Sequence, residues 1–364
     1  MKLQVTQENL SKALSNVAKI AMANKNPLPI LNNVLIQTIE GRLSLSATNL
    51  EIAVTEKIGS KVSSEGSITV PARLMQEYIS SLPSGVLDLE LDNNKLKIIT
   101  DQYSSTINGV LSDEFPSFPV LEPNVSWVIP IKEFKKGLQQ VVFAASSDET
   151  RPVLTGVYLH TLDGWIYAAA TDSYRLSEKK LMKSNQDISM LVPANAIQEL
   201  LRILPDSDDK LTVSADNQQV LFKAGEIELV TRLIDATYPD YKKLIPKSYT
   251  TTATLQRDEL ISITKVSALF ARESAGSITL KVDVIDKSVS INSIASQLGE
   301  NSSKASATVD GSGDVTLNSR YLLDVLNVLN AKEVTISFNG KLEPFVVTST
   351  DAKDQVYIVM PLKS

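Results

Sequence analysis

The sequence repeats itself three times, and that periodicity constrains the fold more than any single motif. Residues 71–83, 193–205 and 318–330 are versions of one segment, set 122 and 125 residues apart. Met75, Ile197 and Leu322 occupy one column, and Ile79, Leu201 and Leu326 a second. Leu82, Leu204 and Leu329 form a third, and Glu77, Glu199 and Asp324 an acidic fourth. Apolar positions at i, i+4 and i+7 predict one buried helical stripe per copy. A fixed period of this length means one supersecondary unit used repeatedly.

A second helix is predicted at the start of each third, over residues 7–21, 131–145 and 257–271. In the first, Leu10, Ala13, Leu14, Val17 and Ala21 share a face; in the second, Phe134, Leu138, Val141 and Val142 do. Between the two helices of each third lie alternating apolar runs around turn residues, at Glu40-Gly41-Arg42, Asp163-Gly164 and Asp286-Lys287-Ser288. These predict β-hairpins. A further hairpin follows each second helix, with turns at Asp92-Asn93-Asn94, Asp216-Asn217-Gln218 and Asn339-Gly340. Two details tie the first two copies together: Ala47-Thr48-Asn49 matches Ala170-Thr171-Asp172, and Phe115-Pro116 to Phe118-Pro119 matches Tyr238-Pro239 to Tyr241-Lys242. The expected architecture is α+β, three domains of two helices and β-sheets each, at 1–125, 126–249 and 250–364.

Composition narrows the chemistry. The chain has no cysteine and one histidine, His160, which removes disulfides, thiolate sites, cysteine nucleophiles and multi-histidine metal sites. No cofactor or metal is expected, and no catalytic residue is assigned. There is no GxxxxGK[ST] or GxGxxG phosphate loop. Gly311-Ser312-Gly313-Asp314 sits between strand-like runs and reads as a hairpin turn. Ser262 and Lys265 fit a bare SxxK pattern, but its usual partner motifs are missing, and the pair reads as the polar face of a helix. Thr171 to Leu176 is the densest polar cluster, and a strand end with a turn accounts for it. His160 alternates with Tyr158 and Leu162 on a strand, as a satisfied or surface residue. No apolar run approaches the length of a membrane span. The first residues turn polar at once, so a cytoplasmic location is expected.

Charge is distributed unevenly. Against 36 Lys and Arg there are 42 Asp and Glu, a net of −6, while the six predicted helices alone carry +3. A helix-lined surface would attract a polyanion while the remainder stayed acidic. Aromatics are 5% of the chain and none interleaves with a basic cluster, which argues against stacking on single-stranded bases. The C-terminal run Val356 to Leu362 is apolar where chain ends are commonly polar. It reads either as a last core strand or as one in which Met360 and Leu362 line a partner groove.

Five segments in order, on the threefold repeat, resemble the bacterial DNA polymerase III beta subunit, the replication sliding clamp. They are Leu28-Pro29-Ile30-Leu31, Val70-Pro71-Ala72-Arg73, Thr171 to Leu176, Tyr238-Pro239-Asp240-Tyr241 and Met360-Pro361-Leu362. The resemblance spans essentially the whole chain. It implies a head-to-tail homodimer whose six domains form a ring around duplex DNA, with helices lining the hole. Such a ring tethers the replicative polymerase, and a clamp loader and other proteins engage it through a short peptide.

The same resemblance implies site residues. A partner-peptide pocket would use Leu154, Thr171, Tyr174, Arg175, Leu176, Pro239, Lys243 and Leu244. It would be completed by Leu342, Pro344, Ile358, Val359, Met360, Pro361 and Leu362. DNA contact would fall to Lys25, Arg73, Arg151 and Arg320, and the dimer seam would include Ile107 on one protomer with Leu269 and Phe270 on the other. The sequence departs from the family pattern at Ser173-Tyr174, where Gly-His is common, at Asn195, where a basic residue is common, and at Ala275, where some members have a large aromatic. Two other functions compete: an enzyme with a site near Thr171–Arg175, and a non-replicative repeat scaffold that binds proteins only.

Overall fold

The computed structural model describes residues 1–22, 28–118, 121–295, 299–351 and 354–363, and among these are six α-helices and twenty-six strands. The first third begins with strand Lys2–Thr6 and helix α1 (Gln7–Ala21), then strands Asn33–Ile39, Arg42–Thr48, Ile52–Ile58 and Ser67–Pro71. Helix α2 (Ala72–Ser81) follows, then strands Val86–Asp92, Lys95–Ile99 and Ser104–Asn108. The same order recurs with α3 (Ile131–Val142) and α4 (Ala194–Ile203), and again with α5 (Arg257–Phe270) and α6 (Ser319–Val328).

Local chemistry explains these elements. Thr6 caps α1 by accepting from the Asn9 amide, and Asn318 caps α6 by accepting from the Arg320 amide, each satisfying a helix-end donor. Leu10, Ala13, Leu14, Val17 and Ala21 are fully buried, as are Met75 and Ile79 on α2 and Leu322 and Leu326 on α6. Each of the buried leucine, valine, isoleucine and methionine side chains contributes about 1.5–3 kcal/mol, and each alanine less. In α4 the stripe is rotated: Leu200 is buried and Leu201 only partly so. Glu40-Gly41 and Asp163-Gly164 both take positive φ (53° and 72°, 51° and 75°), the backbone that two-residue hairpin turns demand. Gly311 is not a hairpin turn. Strand Thr308–Asp310 before it pairs with Thr251–Gln256, whereas Gly313–Asn318 after it pairs with Ser277–Asp283. The chain switches sheets there, with φ 78°, and a Cβ would lie 2.1 Å from the Thr250 carbonyl oxygen.

The chain forms two compact units that cut across the repeats: residues 1–132 with 198–233, and residues 133–197 with 234–364. Each contains one large antiparallel sheet that joins consecutive repeats. In the first unit, Ile52–Ile58 pairs with Ile227–Arg232, with Ala53 opposite Val230, and completes an eight-stranded sheet. In the second, Arg175–Lys183 pairs with Gln355–Val359, with Leu176 opposite Ile358, and completes a nine-stranded sheet.

Among the described residues, the remaining sheets end without such a partner. A five-stranded sheet of the first unit ends at Ser104–Asn108, and a four-stranded sheet of the second ends at Gly299–Ser306. By position in the repeat, Ser104–Asn108 is the counterpart of Ile227–Arg232 and Gln355–Val359. Gly299–Ser306 is the counterpart of Ile52–Ile58 and Arg175–Lys183.

Candidate functional site

The polar cluster at Thr171–Leu176 is a tight turn at the junction of the second and third repeats. Thr171 Oγ1 donates to the Arg175 carbonyl (2.6 Å) and accepts from the Ser173 amide (3.2 Å). Asp172 Oδ1 accepts from the amides of Tyr174 (2.9 Å) and Arg175 (3.0 Å). Ser173 is thereby held at φ 79°, a conformation that glycine adopts freely and other residues do not. The Thr171 hydroxyl is consumed by the backbone, and the Asp172 carboxylate by the backbone and the Arg175 side chain, so neither is set up as a nucleophile or base.

Arg175 does not project into solvent. Its guanidinium bonds Asp172 Oδ2 (3.1 Å) and Asp324 Oδ2 (2.5 Å) and lies over the rings of Phe143 (5.3 Å) and Tyr321 (4.8 Å). Its side chain is 13% exposed. Arg175 therefore fastens α6 to the turn; Asp172 belongs to the cluster the sequence singled out, whereas Asp324, Phe143 and Tyr321 are partners that sequence reasoning missed. The acidic column containing Asp324 was the available signal.

The C-terminal segment closes the site. The Met360 amide donates to the Tyr174 carbonyl and the Leu362 amide to the Thr316 carbonyl, each at 2.8 Å. Leu176 and Ile358 are buried in one cluster with Tyr238, Tyr241 and Val346, and Met360 packs against it partly exposed. Leu154 and Thr171 are also buried. Around this floor, Tyr174 (56%), Leu244 (44%) and Leu342 (64%) are exposed apolar side chains. Pro344, Pro361 and Leu362 are half-buried and Pro239 is exposed. Lys243 is exposed and paired with Asp240 (2.9 Å). Val359 departs from the expected pocket. Side chains alternate along a strand, so Val359 faces away from Ile358 and packs in the core with Phe345, Val347 and Tyr357.

Beneath the turn Tyr241–Leu244 lies the sole histidine. His160 is 8% exposed, its Nε2 is 2.7 Å from the Tyr241 hydroxyl, and its ring stacks between Tyr158 and Tyr167. The Tyr241 hydroxyl donates to Glu178 (2.6 Å), which also pairs with Lys242 (2.5 Å). Burial and the nearby Lys242 charge push the histidine below its ordinary pKa, and burial first, then Glu178, pushes the Tyr241 phenol far up. The network is satisfied, as the isolated strand histidine predicted.

The nucleic-acid candidates fare differently from one another. Lys25 lies outside the described residues. Arg73 is highly exposed, with Glu77 3.4 Å away on its own helix. Arg151 is bound to Asp148 (3.3 Å) and to the Ser173 hydroxyl (3.2 Å). Arg320 is exposed on α6. Lys12, Lys136 and Lys265 are further exposed helix cations, and like Arg320 they have no ion pair among the described residues. Their signal was the helix charge balance and not a motif.

Of the seam candidates, Leu269 is 53% exposed and Phe270 half-buried, and Val266 beside them is 45% exposed. Ile107 is on the open strand Ser104–Asn108 but only 5% exposed, because its side chain turns into its own domain. The SxxK pair has no catalytic geometry, since the Ser262 hydroxyl is spent on the Asp258 carbonyl (2.8 Å). No cluster of metal-ligating side chains occurs among the described residues, and no helix there is long and apolar enough to cross a membrane.

Comparison with known proteins agrees with this geometry along the whole chain. Residues 1–119, 128–240 and 242–363 match, in order, the N-terminal, central and C-terminal domains of the DNA polymerase III beta subunit. The beta sliding clamp of Streptococcus pneumoniae is 29% identical over 371 residues, covering 98% of each chain. The DNA polymerase sliding clamp of Bacillus subtilis superposes with a TM-score of 0.95 at 27% identity, over 100% of this chain and 99% of that one. A DnaN sliding clamp of Pseudomonas aeruginosa, solved bound to griselimycin, has the same fold, with a TM-score of 0.95 at 24% identity over the full length of both. With three consecutive family domains on three clamp repeats, the chain belongs to the DNA polymerase III beta subunit family, the bacterial sliding clamps.

Proposed function

We propose that two copies of this chain join head to tail into a closed ring that surrounds duplex DNA and tethers the replicative polymerase. The domains divide at 1–125, 126–249 and 250–364. One observation carries the reading. Both repeat junctions within the chain are made by continuous β-sheet, and the counterparts of the joined strands, Ser104–Asn108 and Gly299–Ser306, are open edges. Open edges are a template for pairing with another chain. Pairing one copy's first edge with the other's second gives a heterologous contact that closes after two copies. Leu269 and Phe270 on α5 flank this seam, with Ile107 contributing through its strand.

A ring that is linked topologically needs no base contacts. Arg73, Arg151, Arg320 and the exposed Lys12, Lys136 and Lys265 supply mild positive charge toward phosphates, and Lys25 adds to it from outside the described residues. Contacts of this kind position a protein on DNA without reading sequence. The exposed Tyr174, Leu244 and Leu342, over the floor of Leu176, Ile358 and Met360, take a short extended peptide with Leu and Phe anchors from the polymerase, the clamp loader and other partners. Two or three such anchors, less the ordering cost, correspond to about −8 kcal/mol, roughly micromolar. The chain acts in the cytoplasm as a tether without catalysis or cofactor.

The decisive experiment loads the protein onto a nicked circular plasmid and then linearises it. Retention on the circle in moderate salt, with release on linearisation, is expected. Equal release from both forms would leave only a scaffold that binds proteins.

A further inference from the structure

The junction of the first and second repeats carries a second version of the turn described above. Thr48 Oγ1 donates to the Ile52 carbonyl (3.0 Å) and accepts from the Leu50 amide (3.0 Å). Asn49 Oδ1 accepts from the amides of Glu51 (3.1 Å) and Ile52 (2.8 Å). The Arg232 amide donates to the Glu51 carbonyl (3.2 Å), as the Met360 amide does to Tyr174. Bond for bond, Thr48 stands for Thr171, Leu50 for Ser173, Glu51 for Tyr174 and Arg232 for Met360.

Beside this turn is a cavity of about 410 Å³ whose apolar lining includes Leu50, Ile52, Ala53, Pro116, Phe118 and Val230. Two features set it apart from packing. Leu50 is 43% exposed at φ 75°. A leucine in that conformation costs on the order of 1–3 kcal/mol, and an exposed one recovers little of that by burial. Arg232 is exposed and lines the same cavity, with no ion pair among the described residues. Its counterpart Met360 is apolar, so the two sites differ in charge where they agree in backbone.

We propose that this cavity is a second peptide site, selective for an extended segment whose apolar anchor adjoins an acidic residue. The inference rests on reading the other junction as a peptide groove. The anchor lies against Leu50, Ile52 and Val230, and the acidic group meets the Arg232 guanidinium, a charge-assisted contact. The Glu51 carboxylate accepts from a main-chain amide of the segment. Because the anchor side is partly open and only one side chain is buried, binding here is weaker than at the Met360 groove.

The test uses the chain with Ile, Leu and Val methyls labelled, titrated with an acetylated, amidated hexapeptide carrying Asp beside Leu-Phe, and with its Asn form. In a chain lacking residues 360–364, the Asp peptide is expected to shift the methyls of Leu50, Ile52 and Val230 saturably. Leu50→Asp should weaken this by about tenfold or more, and Leu50 is exposed enough for the variant to fold. Arg232→Met should bind the Asp and Asn forms equally, whereas the natural residue prefers Asp. Absence of saturable shifts at these methyls, or an unchanged affinity in Leu50→Asp, overturns the proposal. Failure of the underlying reading looks different: the full chain would then shift Leu50 and Val230 but leave Leu176 and Ile358 unmoved.

Discussion

The two junctions share a backbone but hold together by different means. At the first, Arg202 on α4 donates to the carbonyls of Ser15 (2.9 Å) and Asn16 (2.7 Å) on α1 and pairs with Glu199, which also holds Lys19. These groups are partly solvated. At the second, one nearly enclosed guanidinium, Arg175, is shared between two carboxylates and two rings. The acidic column of the repeat is thus used twice, as Glu199 and as Asp324, on different cations. Its third member, Glu77, pairs among the described residues only with the exposed Arg73 of its own helix. The lesson is that the repeat conserves the position of a charge while each junction chooses its partner, and the unused copy marks the end with no junction inside the chain.

That difference predicts unequal costs. Arg175→Ala leaves Asp172 and the partly exposed Asp324 without their cation and should cost about 2 kcal/mol or more. Arg202→Ala should cost about half that, since water can replace the lost partners. Urea unfolding of the two variants, followed by fluorescence, compares them directly, and equal losses would refute the distinction.

Removing Met360–Ser364 should weaken peptide binding at the second junction at least about tenfold, or 1.4 kcal/mol, in a calorimetric titration. The sheet itself should survive, because Gln355–Val359 keeps its pairing with Arg175–Lys183. Unchanged affinity would move the groove elsewhere.

Where the junctions agree, substitutions should agree. Thr48→Val and Thr171→Val each remove the hydroxyl that closes the turn, and each should cost about 1 kcal/mol. The smallest effect concerns His160, which is held below its ordinary pKa of 6.5 by burial and Lys242. With the folded value depressed, its contribution is full above pH 6.5 and is lost as pH falls below that through the folded value. The melting temperature of the natural chain should therefore fall more steeply below pH 6.5 than that of His160→Gln. Parallel curves would show that the histidine titrates alike in the folded and unfolded chain, against the depression assigned to it.

Much of this architecture was legible because it depends on periodicity. The three helix pairs, the turns at Gly41 and Gly164 and the buried columns through Met75 and Leu322 follow from local pattern alone. Strand membership does not tell which face a side chain takes, so Val359 lies on the core face and the Ile107 side chain turns into its own domain while its strand stays open. Arg175 was expected at the groove, but its engagement by Asp324 and Tyr321, almost 150 positions away, has no local signature. Gly311 resembled a hairpin turn because a switch between sheets uses the same left-handed glycine.

The ring depends on the two open edges, and the solution mass tests them most directly. Sedimentation equilibrium at micromolar concentration should give twice the chain mass of 39.7 kDa. A Leu269→Asp, Phe270→Asp double variant should fall to the single chain mass with its helix content intact. A natural chain that sediments as a folded monomer under those conditions would contradict the ring.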